Sequence, residues 1–296
     1  MITAYQGCTI LVTGGAGFIG SHLVEQLVLW GAEVRVLDDL STGNLDNLSH
    51  LIDKITFIQG SITDNTLCRK AVDGCAIIFH LAAYISVPGS FENPHHCYQV
   101  NMQGTQLLLD NARLFNVQRV VFASSCAVYG AQEGPLSEKN SCHPQSPYGL
   151  SKLIGEMLCN QYTHDFGLQT VSLRYFNVFG SRQSSHGPYA GVVAKFRAAM
   201  KNNQPLVIFG DGLQSRDFVP VKTIVEANLK AGMLPSTYVS GRVYNIATGK
   251  SVTLLQLIEQ LKEEFPLYNA PIEHRPARAG DVQTVQADIK AYQELI

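Results

Sequence analysis

The sequence predicts an α/β protein, in which a doubly wound parallel sheet carries helices on both faces and is followed by a smaller, loop-rich α/β lobe. Two observations predict this fold class. In the first half of the chain, short apolar runs alternate with segments of helical periodicity, which is typical of a parallel sheet with crossover helices. Beyond about residue 175 the alternation loosens, and Gly, Pro, Ser and Asn interrupt the apolar segments.

Each element follows from its local pattern. Apolar runs predict strands at 9–14, 33–39, 55–62, 76–83 and 119–125. Helical periodicity predicts helices at 18–31, near 64–73 and at 99–115, and again at 190–201, 222–233 and 253–264. A further helix is expected to begin at Ser146 and Pro147, because serine is a favoured N-cap and proline a favoured first helical residue.

The composition excludes several classes of protein. The chain has 296 residues, is 46% hydrophobic and 16% charged, and carries a net charge of −2, so no basic field predicts binding to nucleic acid or to an anionic membrane. Its 7 cysteines have no C-x-x-C spacing, which argues against a disulfide framework and against a metal site. With no signal peptide or long apolar run, we expect a cytoplasmic protein.

A glycine-rich turn, "TGGAGFIG" at 13–20, lies between the first predicted strand and the first predicted helix. Its spacing fits Gly15-x-Gly17-x-x-Gly20 and also Gly14-x-x-Gly17-x-x-Gly20. Glycines there allow a tight turn and a close approach of a diphosphate, and the helix N-terminus attracts its charge. The pattern therefore predicts a dinucleotide-binding domain of the Rossmann type.

The second predicted strand ends in Asp38 and Asp39, about twenty residues beyond the glycine turn. A carboxylate at this place accepts hydrogen bonds from the ribose hydroxyls of NAD and repels the 2′-phosphate of NADP. No arginine follows in "LSTGN". The sequence therefore favours NAD.

A tyrosine and a lysine stand four residues apart in "SPYGLSK", as Tyr148 and Lys152, and so share one face of the predicted helix. A lysine ammonium, together with an oxidised nicotinamide, would lower the pKa of a phenol and make it a base for a sugar hydroxyl. Ser125, in "ASSCAVYG", lies at the carboxyl end of a predicted strand, where open α/β sheets bind ligands. These three residues form the candidate catalytic set.

Together these motifs resemble those of the extended short-chain dehydrogenase/reductase superfamily, in its NAD-dependent epimerase/dehydratase family, and most closely the UDP-glucose and UDP-N-acetylglucosamine 4-epimerases. The resemblance covers nearly the whole chain. It rests on "TGGAGFIGSHL", "FHLAA", "ASSCAVYG", "SPYGLSK", "LRYFNVFG", "IFGDGLQSRDFV", "YNIATG" and "RPARAGDVQ". It implies a Rossmann domain at 1–174 and a substrate-binding lobe at 175–296, with segments of the two interleaved.

The resemblance also implies roles for matching positions. Ser125, Tyr148 and Lys152 would be catalytic. The residues implied in NAD binding are Gly14, Gly17, Phe18, Ile19, Gly20, Asp38, Asp39, Ser41, Thr42, Gly43, Ser61, Ile62, Leu81, Ala82, Ala83, Asn101, Tyr148, Lys152, Tyr175 and Phe176. Those implied in binding a nucleotide sugar, most simply a UDP-sugar, are Ser86, Ser125, Asn177, Val192, Arg216, Arg278, Asp281 and Val285.

The reaction implied is epimerisation at C4 through a 4-keto sugar. Related dehydratases carry Asp-Glu before Val-Tyr-Gly, and related decarboxylases keep the glutamate, whereas this chain has Cys126 and Ala127 there. Two alternatives stay open. One is another nucleotide-sugar-modifying enzyme of the superfamily, either a dehydratase or a 3,5-epimerase/reductase with Cys126 and His186 as an acid/base pair. The other is a non-catalytic NAD-binding sensor.

Three positions bear on substrate and integrity. Val285 stands where a tyrosine would exclude N-acetyl groups, so UDP-GlcNAc and UDP-GalNAc are expected substrates beside UDP-Glc and UDP-Gal. Ser61 replaces the family's usual aspartate at the adenine contact. The chain ends at "ADIKAYQELI", where relatives continue with a helix, which predicts a truncated C-terminal lobe. Relatives dimerise through two helices, so segments 99–115 and 149–164 predict a homodimer.

Overall fold

A computed structural model describes residues 4–132, 134–185, 191–277 and 282–294. In chain order the strands are β1 (Thr9–Thr13), β2 (Glu33–Asp38), β3 (Ile55–Gln59), β4 (Ile77–His80), β5 (Arg119–Ser125), β6 (Pro135–Leu136), β7 (Gln169–Tyr175), β8 (Asn177–Phe179), β9 (Leu206–Phe209), β10 (Ser215–Arg216), β11 (Phe218–Pro220), β12 (Arg242–Ile246), β13 (Val252–Thr253), β14 (Ile272–Arg275) and β15 (Thr284–Ala287).

The helices are α1 (Phe18–Leu29), α2 (Asn65–Val72), α3 (Val87–Glu92), α4 (Pro94–Tyr98), α5 (Thr105–Leu114), α6 (Pro147–Phe166), α7 (Val192–Lys201), α8 (Val221–Met233), α9 (Ser236–Val239), α10 (Leu254–Glu264) and α11 (Lys290–Gln293). A π-helical segment, Gln99–Gly104, joins α4 to α5, and 3-10 turns occupy Leu45–Lys54 and Cys126–Val128.

The main layer is a seven-stranded sheet in the order β12-β7-β5-β4-β1-β2-β3, with every neighbouring pair parallel. Its central strands are almost wholly buried: every residue of β4 is buried, and so are six of the seven residues of β5. Continuous apolar strands of this kind need helices on both faces. Helices pack against the sheet in two apolar clusters. One cluster includes residues of α1 and α8, and the other includes residues of α2 and α5. The predicted α/β fold with a doubly wound parallel sheet is confirmed.

The second lobe has its own small core, formed by α7, β9 and α10 around Phe196, Ile208 and Ile258. A four-stranded sheet, β13-β10-β15-β6, and the pairs β9–β14 and β8–β11 complete it. The chain passes between the layers more than once. β12, from the C-terminal half, forms an edge of the large sheet, whereas β6, from the N-terminal half, forms an edge of the small one. The domain boundary predicted at residue 174 falls inside β7, and the division of the chain there stays a prediction.

Helix α6 begins as its sequence predicts. The Gly149 backbone N–H donates to the Ser146 hydroxyl at 3.0 Å, Pro147 occupies the first helical position, and Gly167 ends the helix with a φ of 72°. This fixes the helical phase of the residues that follow. It turns Lys152 and Glu156, both buried, toward β5 and β7.

Candidate active site

An elongated cavity of about 300 Å³ runs along the carboxyl ends of the parallel strands, from β3 to β7. This is the edge at which open α/β sheets bind ligands. Its lining consists of Gly14, Gly17, Phe18, Ile19, Gly20, Leu37, Asp38, Asp39, Ser41, Thr42, Gly43, Gly60, Ser61, Ile62, Leu81, Ala82, Ala83, Tyr84, Ile85, His96, Val100, Ala123, Ser124, Tyr148, Lys152 and Tyr175. Every predicted NAD-binding residue lies on this lining except Asn101 and Phe176.

Neighbouring backbone atoms lie so close to the glycine turn that a side chain does not fit at Gly14 or Gly20. A Cβ at Gly20 would stand 2.1 Å from the Gly14 carbonyl oxygen, and one at Gly14 would stand 2.7 Å from the Ala82 nitrogen. Gly17, the N-cap of α1, provides no side chain to cap the helix. The first N–H groups of α1 therefore face the cavity with their positive dipole end, which fits a diphosphate.

The two aspartates after β2 have different environments. The Asp38 carboxylate is buried and accepts 2.9 Å hydrogen bonds from the Ala16 and Leu40 backbone N–H groups. Burial raises its pKa, and these backbone bonds oppose the rise. Asp39 is exposed and accepts a hydrogen bond from the Ser41 N–H. Asp38 thus holds the turn in shape, and both carboxylates stand at the cavity where a ribose would lie.

At the far end of the cavity, beyond β3, Ser61 takes a local role. Its hydroxyl accepts a hydrogen bond from the Thr63 N–H at 3.2 Å and is also paired with the Thr63 hydroxyl at 2.9 Å. Ser61 and Ile62 both line the cavity, and their contact with adenine stays a prediction.

The opposite end of the cavity holds the catalytic candidates. The Lys152 ammonium donates to the Ala123 carbonyl at 2.8 Å and lies 5.0 Å from the centre of the Phe122 ring. Ser125 ends β5, and its hydroxyl accepts from the Ala127 N–H at 3.2 Å and interacts with the Tyr148 phenol. The structure therefore brings Ser125, Tyr148 and Lys152 together, with Tyr148 and Lys152 on the lining itself.

The electrostatics of this end differ from the expectation that Lys152 lowers the phenol's pKa. Burial raises the pKa of Tyr148 to about 12, and the hydrogen bond with Ser125 opposes this only partly. Burial also lowers the pKa of Lys152 to about 8. The protein's own groups thus hold the phenol protonated at neutral pH, so a further positive charge is needed to make it a base.

Asn101 braces the site from outside the cavity. Its amide donates to the Tyr84 carbonyl and the Ser151 hydroxyl, each at 2.9 Å, and its carbonyl oxygen accepts from the Tyr84 N–H at 2.7 Å. It thereby ties the loop after β4 to α6 between Tyr148 and Lys152. Asn101 lies in the π-helical segment, a feature frequent at functional sites.

Two further residues behave as core groups. Phe176 is buried behind Tyr175, with its ring 6.4 Å from that of Tyr129, so its contact with a nicotinamide stays a prediction. His80 is 1% exposed and hydrogen-bonds Thr13 through Nδ1 and Thr105 through Nε2. Burial lowers its pKa to about 3, which keeps the ring neutral.

A second cavity, of about 580 Å³, lies in the smaller lobe between α7, β9 and β10. Three predicted substrate contacts line it: Asn177, Val192 and Arg216. Lys195 and Arg275 line it as well, so it combines cationic side chains with the apolar surface of Phe196, Phe209 and Phe218. This mixture fits a ligand that joins an anionic group to a flat apolar one.

The other predicted substrate contacts that the structure describes do not line this second cavity. Ser86 is 2% exposed and caps α3 by accepting from the Gly89 N–H, so its hydroxyl is already used within the fold. Val285 pairs with Arg216 across β15 and β10. Arg278 and Asp281 lie outside the described residues, as does His186.

Cys126 follows Ser125 and marks where the two cavities approach each other. Burial raises the pKa of its thiol to about 11, and the Arg216 guanidinium opposes the rise, which places Arg216 close to the end of β5. A thiol held neutral in this way does not favour the alternative in which Cys126 acts as a base with His186. Four of the seven free cysteines are buried, as expected of most small thiols, and Cys8, Cys126 and Cys142 are half-buried.

Sequence reasoning missed several residues. Lys195 and Arg275 had no motif of their own, and their approach to Arg216 depends on the packing of the second lobe. Asp217 is fully buried, and its carboxylate accepts from the Thr248 and Gly249 N–H groups at 2.9 Å, which anchors the strand carrying Arg216. Glu156 could have been noticed, since it stands four residues after Lys152 on the predicted helix.

The described part of the chain contains no group of three or more His, Cys, Asp or Glu side chains arranged to hold a metal ion. A search of the same residues finds no helix with the length and apolar character needed to span a membrane.

Comparisons with known proteins show the family of this chain. Residues 10–247 match the model of the NAD dependent epimerase/dehydratase family. The chain is 38% identical over 291 residues to the UDP-glucose 4-epimerase of Mycolicibacterium smegmatis, a match that covers 97% of this chain and 91% of that protein.

Solved structures are similar over the same span. A UDP-N-acetylglucosamine 4-epimerase from Methanobrevibacter ruminantium, in complex with UDP-N-acetylmuramic acid, superposes with a TM-score of 0.92 at 36% identity, covering 98% of this chain and 92% of that one. The Thermus thermophilus UDP-glucose 4-epimerase in complex with NAD gives a TM-score of 0.87 at 33% identity, covering 97% and 92%.

The chain therefore belongs to the NAD-dependent epimerase/dehydratase family of extended short-chain dehydrogenases/reductases. Within that family it is an NAD-dependent sugar-nucleotide epimerase, and NAD is its cofactor.

Proposed function

We propose that this enzyme inverts C4 of UDP-sugars, interconverting UDP-Glc with UDP-Gal and UDP-GlcNAc with UDP-GalNAc, through a 4-keto intermediate. The observation that carries the proposal is the convergence of Ser125, Tyr148 and Lys152 at one end of the cavity that the glycine turn also lines. NAD bound along this cavity would supply a hydride acceptor that later returns the hydride.

In the proposed reaction, Tyr148 takes the proton of the C4 hydroxyl as the hydride leaves C4. Because burial holds the free phenol near a pKa of about 12, this step needs the positive charges of Lys152 and of the oxidised ring together. The Ser125 hydroxyl, next to the phenol, donates to the sugar oxygen or relays its proton. Tyr148 then returns the proton after the sugar has turned its other face to the hydride.

The nucleoside diphosphate of the substrate is assigned to the second cavity. Arg216, Lys195 and Arg275 supply cationic groups for the diphosphate, and Asn177 offers an amide beside them. We assign Arg278 to the same diphosphate and Asp281 to the nucleoside ribose, on the resemblance alone. The position of Arg216 beside Cys126 supports a substrate that reaches from this cavity to Tyr148.

Acceptance of N-acetyl sugars is assigned to the small side chain of Val285, whose strand partner is Arg216. The test is incubation with a panel of UDP-, dTDP- and GDP-sugars, with product stereochemistry read by NMR. We expect UDP-Gal and UDP-GalNAc both to be converted to their C4 epimers. Inversion of UDP-Gal without detectable turnover of UDP-GalNAc would refute the N-acetyl part, and no inversion of any UDP-sugar would refute the whole.

We also propose that the enzyme is a cytoplasmic homodimer. A shallow groove of about 390 Å³ lies between the α4–α5 region and α6, lined by His95, Tyr98, Gln99, Met102, Gln103, Gln106, Ile154 and Leu158. On α6, Met157 is 63% exposed and Leu150 is 39% exposed. Apolar side chains on two adjacent helices support a helix-to-helix contact with a second copy.

A further inference from the structure

A buried ion pair lies directly behind the catalytic candidates and has no part in the mechanism above. The Arg174 guanidinium, on β7, makes two hydrogen bonds to the Glu156 carboxylate, of 2.9 Å from Nε and 2.7 Å from Nη2. The side chains of both residues are only 5% exposed. Arg174 also lies over the Tyr129 ring, 4.7 Å from its centre. Burying such a pair is costly, and replacement by apolar groups is often neutral or stabilising, so stability alone is a weak reason for its presence.

The same carboxylate holds a residue of the cofactor cavity. The Ser124 hydroxyl donates to Glu156 Oε1 at 2.5 Å, and Ser124 lines the cavity between Ala123 and the end of β5. Ser124 and Arg174 are paired residues of adjacent strands, so Glu156 contacts both from the helix that covers them. Because the hydroxyl proton is directed at Glu156, the Ser124 oxygen can only accept a further hydrogen bond.

Glu156 also stands one helical turn beyond Lys152, on the same face of α6. The groups that face the Lys152 ammonium are Cys97 from α4, Cys159 and Glu156 from α6, and His80 from β4. His80 is neutral, and burial raises the pKa of both thiols, so Glu156 is the one carboxylate among these groups. Its charge opposes the loss of the lysine proton that burial favours.

We propose that Glu156 is a positioning residue of the NAD site: it aims the Ser124 oxygen at an N–H or O–H donor of the nicotinamide riboside half, and it supplies the negative charge that balances the Lys152 ammonium. Arg174 fixes the Glu156 carboxylate in the orientation that serves both Ser124 and Lys152. The inference rests on NAD binding and on the proposed role of Lys152, but it makes no use of the sugar.

The first arm of the test measures NAD binding by calorimetry in the absence of any sugar, so that it is independent of the epimerase assignment. Ser124→Ala removes the acceptor and leaves the Glu156–Arg174 pair intact. We expect NAD to bind about fivefold more weakly, the value of one net hydrogen bond. Ser172→Ala is the matched control, since Ser172 is an equally buried serine on the neighbouring strand and lies off the cavity. Equal NAD affinity in Ser124→Ala and wild type would overturn the first half of the proposal.

The second arm follows NAD affinity from pH 6 to pH 10. In wild type we expect affinity to fall above about pH 8, as Lys152 loses its proton. Glu156→Gln removes the balancing charge, so the fall should begin about one pH unit lower, whereas Ser124→Ala should leave its position unchanged. If Glu156 had a purely structural role, Glu156→Gln would not change the pH at which NAD affinity begins to fall. A folded Glu156→Gln variant with the wild-type pH profile would overturn the second half.

Glu156→Asp keeps the inference testable if the glutamine variant does not fold, because the aspartate retains the charge. The shorter side chain should lose the Ser124 contact and weaken NAD binding as Ser124→Ala does, while the pH profile stays at its wild-type position. Wild-type NAD affinity in this variant, or a profile shifted to lower pH, would contradict the proposal.

Discussion

At the scale of single residues, the site keeps two ionisable groups in environments that oppose their charged forms. Tyr148 has a pKa raised to about 12 and Lys152 a pKa lowered to about 8, in both cases by burial. A protein that holds a catalytic group this way gives up stability for function. The cost is measurable at Lys152, because its environment favours loss of the proton.

Replacing Lys152 with Met is expected to stabilise the cofactor-free protein while abolishing turnover. The folded-state pKa of about 8 lies below the ordinary 10.5, so the unfolded chain binds the proton more tightly and wild type is penalised at pH 7. After allowing for the lost hydrogen bond to Ala123, the gain should be about 1–2 kcal/mol.

The stability advantage of Lys152→Met should depend on pH. The wild-type penalty is fully present below pH 8 and is relieved as the pH rises toward 10.5, so the advantage of Lys152→Met should shrink over that range. Urea unfolding at pH 7 and pH 10 measures both values. A variant less stable than wild type at pH 7, or an advantage that grows with pH, would contradict the account.

The proposed role of Val285 in admitting N-acetyl groups is also tested at this scale. Val285→Tyr should abolish turnover of UDP-GalNAc and leave turnover of UDP-Gal within about threefold, since the larger ring fills space beside the C2 substituent. Val285→Ile is the matched control and should keep both substrates. Rates for the two sugars measured by NMR decide the matter, and equal losses for both would show that Val285 is not a gate.

What the sequence predicted at this scale depended on local spacing. Tyr148 and Lys152 are four residues apart on one helix, so their common face could be inferred without a structure. The contact of Glu156 with Arg174 could not, because it requires the register of β5 against β7 and the phase of α6 above both. Local spacing does not carry that information.

At the scale of elements, the glycine turn leaves no room for a side chain at Gly20. Gly20→Ala would put a Cβ 2.1 Å from the Gly14 carbonyl oxygen, which only a shift of the backbone can relieve. We expect a loss of about 3 kcal/mol in unfolding free energy and no measurable NAD binding.

Gly167→Ala is the control for this prediction. Gly167 has a positive φ of 72° with open space around its Cβ position, so it should cost about 1–2 kcal/mol and leave NAD affinity unchanged. Chemical unfolding and NAD calorimetry of both variants make the comparison. A Gly20→Ala variant that binds NAD normally would show that the turn does not need its tight shape.

The predicted elements were correct in kind and wrong mainly at their ends. The strands predicted at 55–62 and 76–83 end at Gln59 and His80, because the residues beyond them leave the sheet and line the cavity. The helix predicted at 99–115 is the later part of a longer helical stretch that begins with α4 at Pro94. The first six residues of the predicted segment, Gln99–Gly104, are π-helical. Apolar periodicity does not distinguish one extra residue in a helical turn, so the sequence carried no signal for this π-helical segment.

At the scale of the whole molecule, the parallel sheet places one cavity along its edge, and the second lobe sets another beside Arg216. The alternation of strands and helices predicted a parallel sheet and five of its seven strands, β1 to β5, but not β7 and β12. The short strands of the second lobe gave no such signal, because two to four residues are too few to show a period. Their sheet forms only through the return of β15 to lie between β6 and β10.

The proposed dimer makes a prediction at this scale. Ile154→Glu places a charge in the groove between the α4–α5 region and α6, which should convert the dimer to a monomer in sedimentation. Leu29→Glu is the control, since Leu29 is 69% exposed on α1, away from this groove, and the variant should stay dimeric. A wild-type protein that sediments as a monomer would refute the dimer.

The most direct measurement of the central claim follows the hydrogen at C4. UDP-galactose carrying deuterium at C4 is incubated with the enzyme, and the product is examined by NMR. The account predicts UDP-glucose that retains the deuterium at C4, with turnover falling by about 10³ in Tyr148→Phe while bound NAD is kept. Loss of the deuterium to solvent, or full turnover in Tyr148→Phe, would contradict a hydride removed and returned beside this phenol.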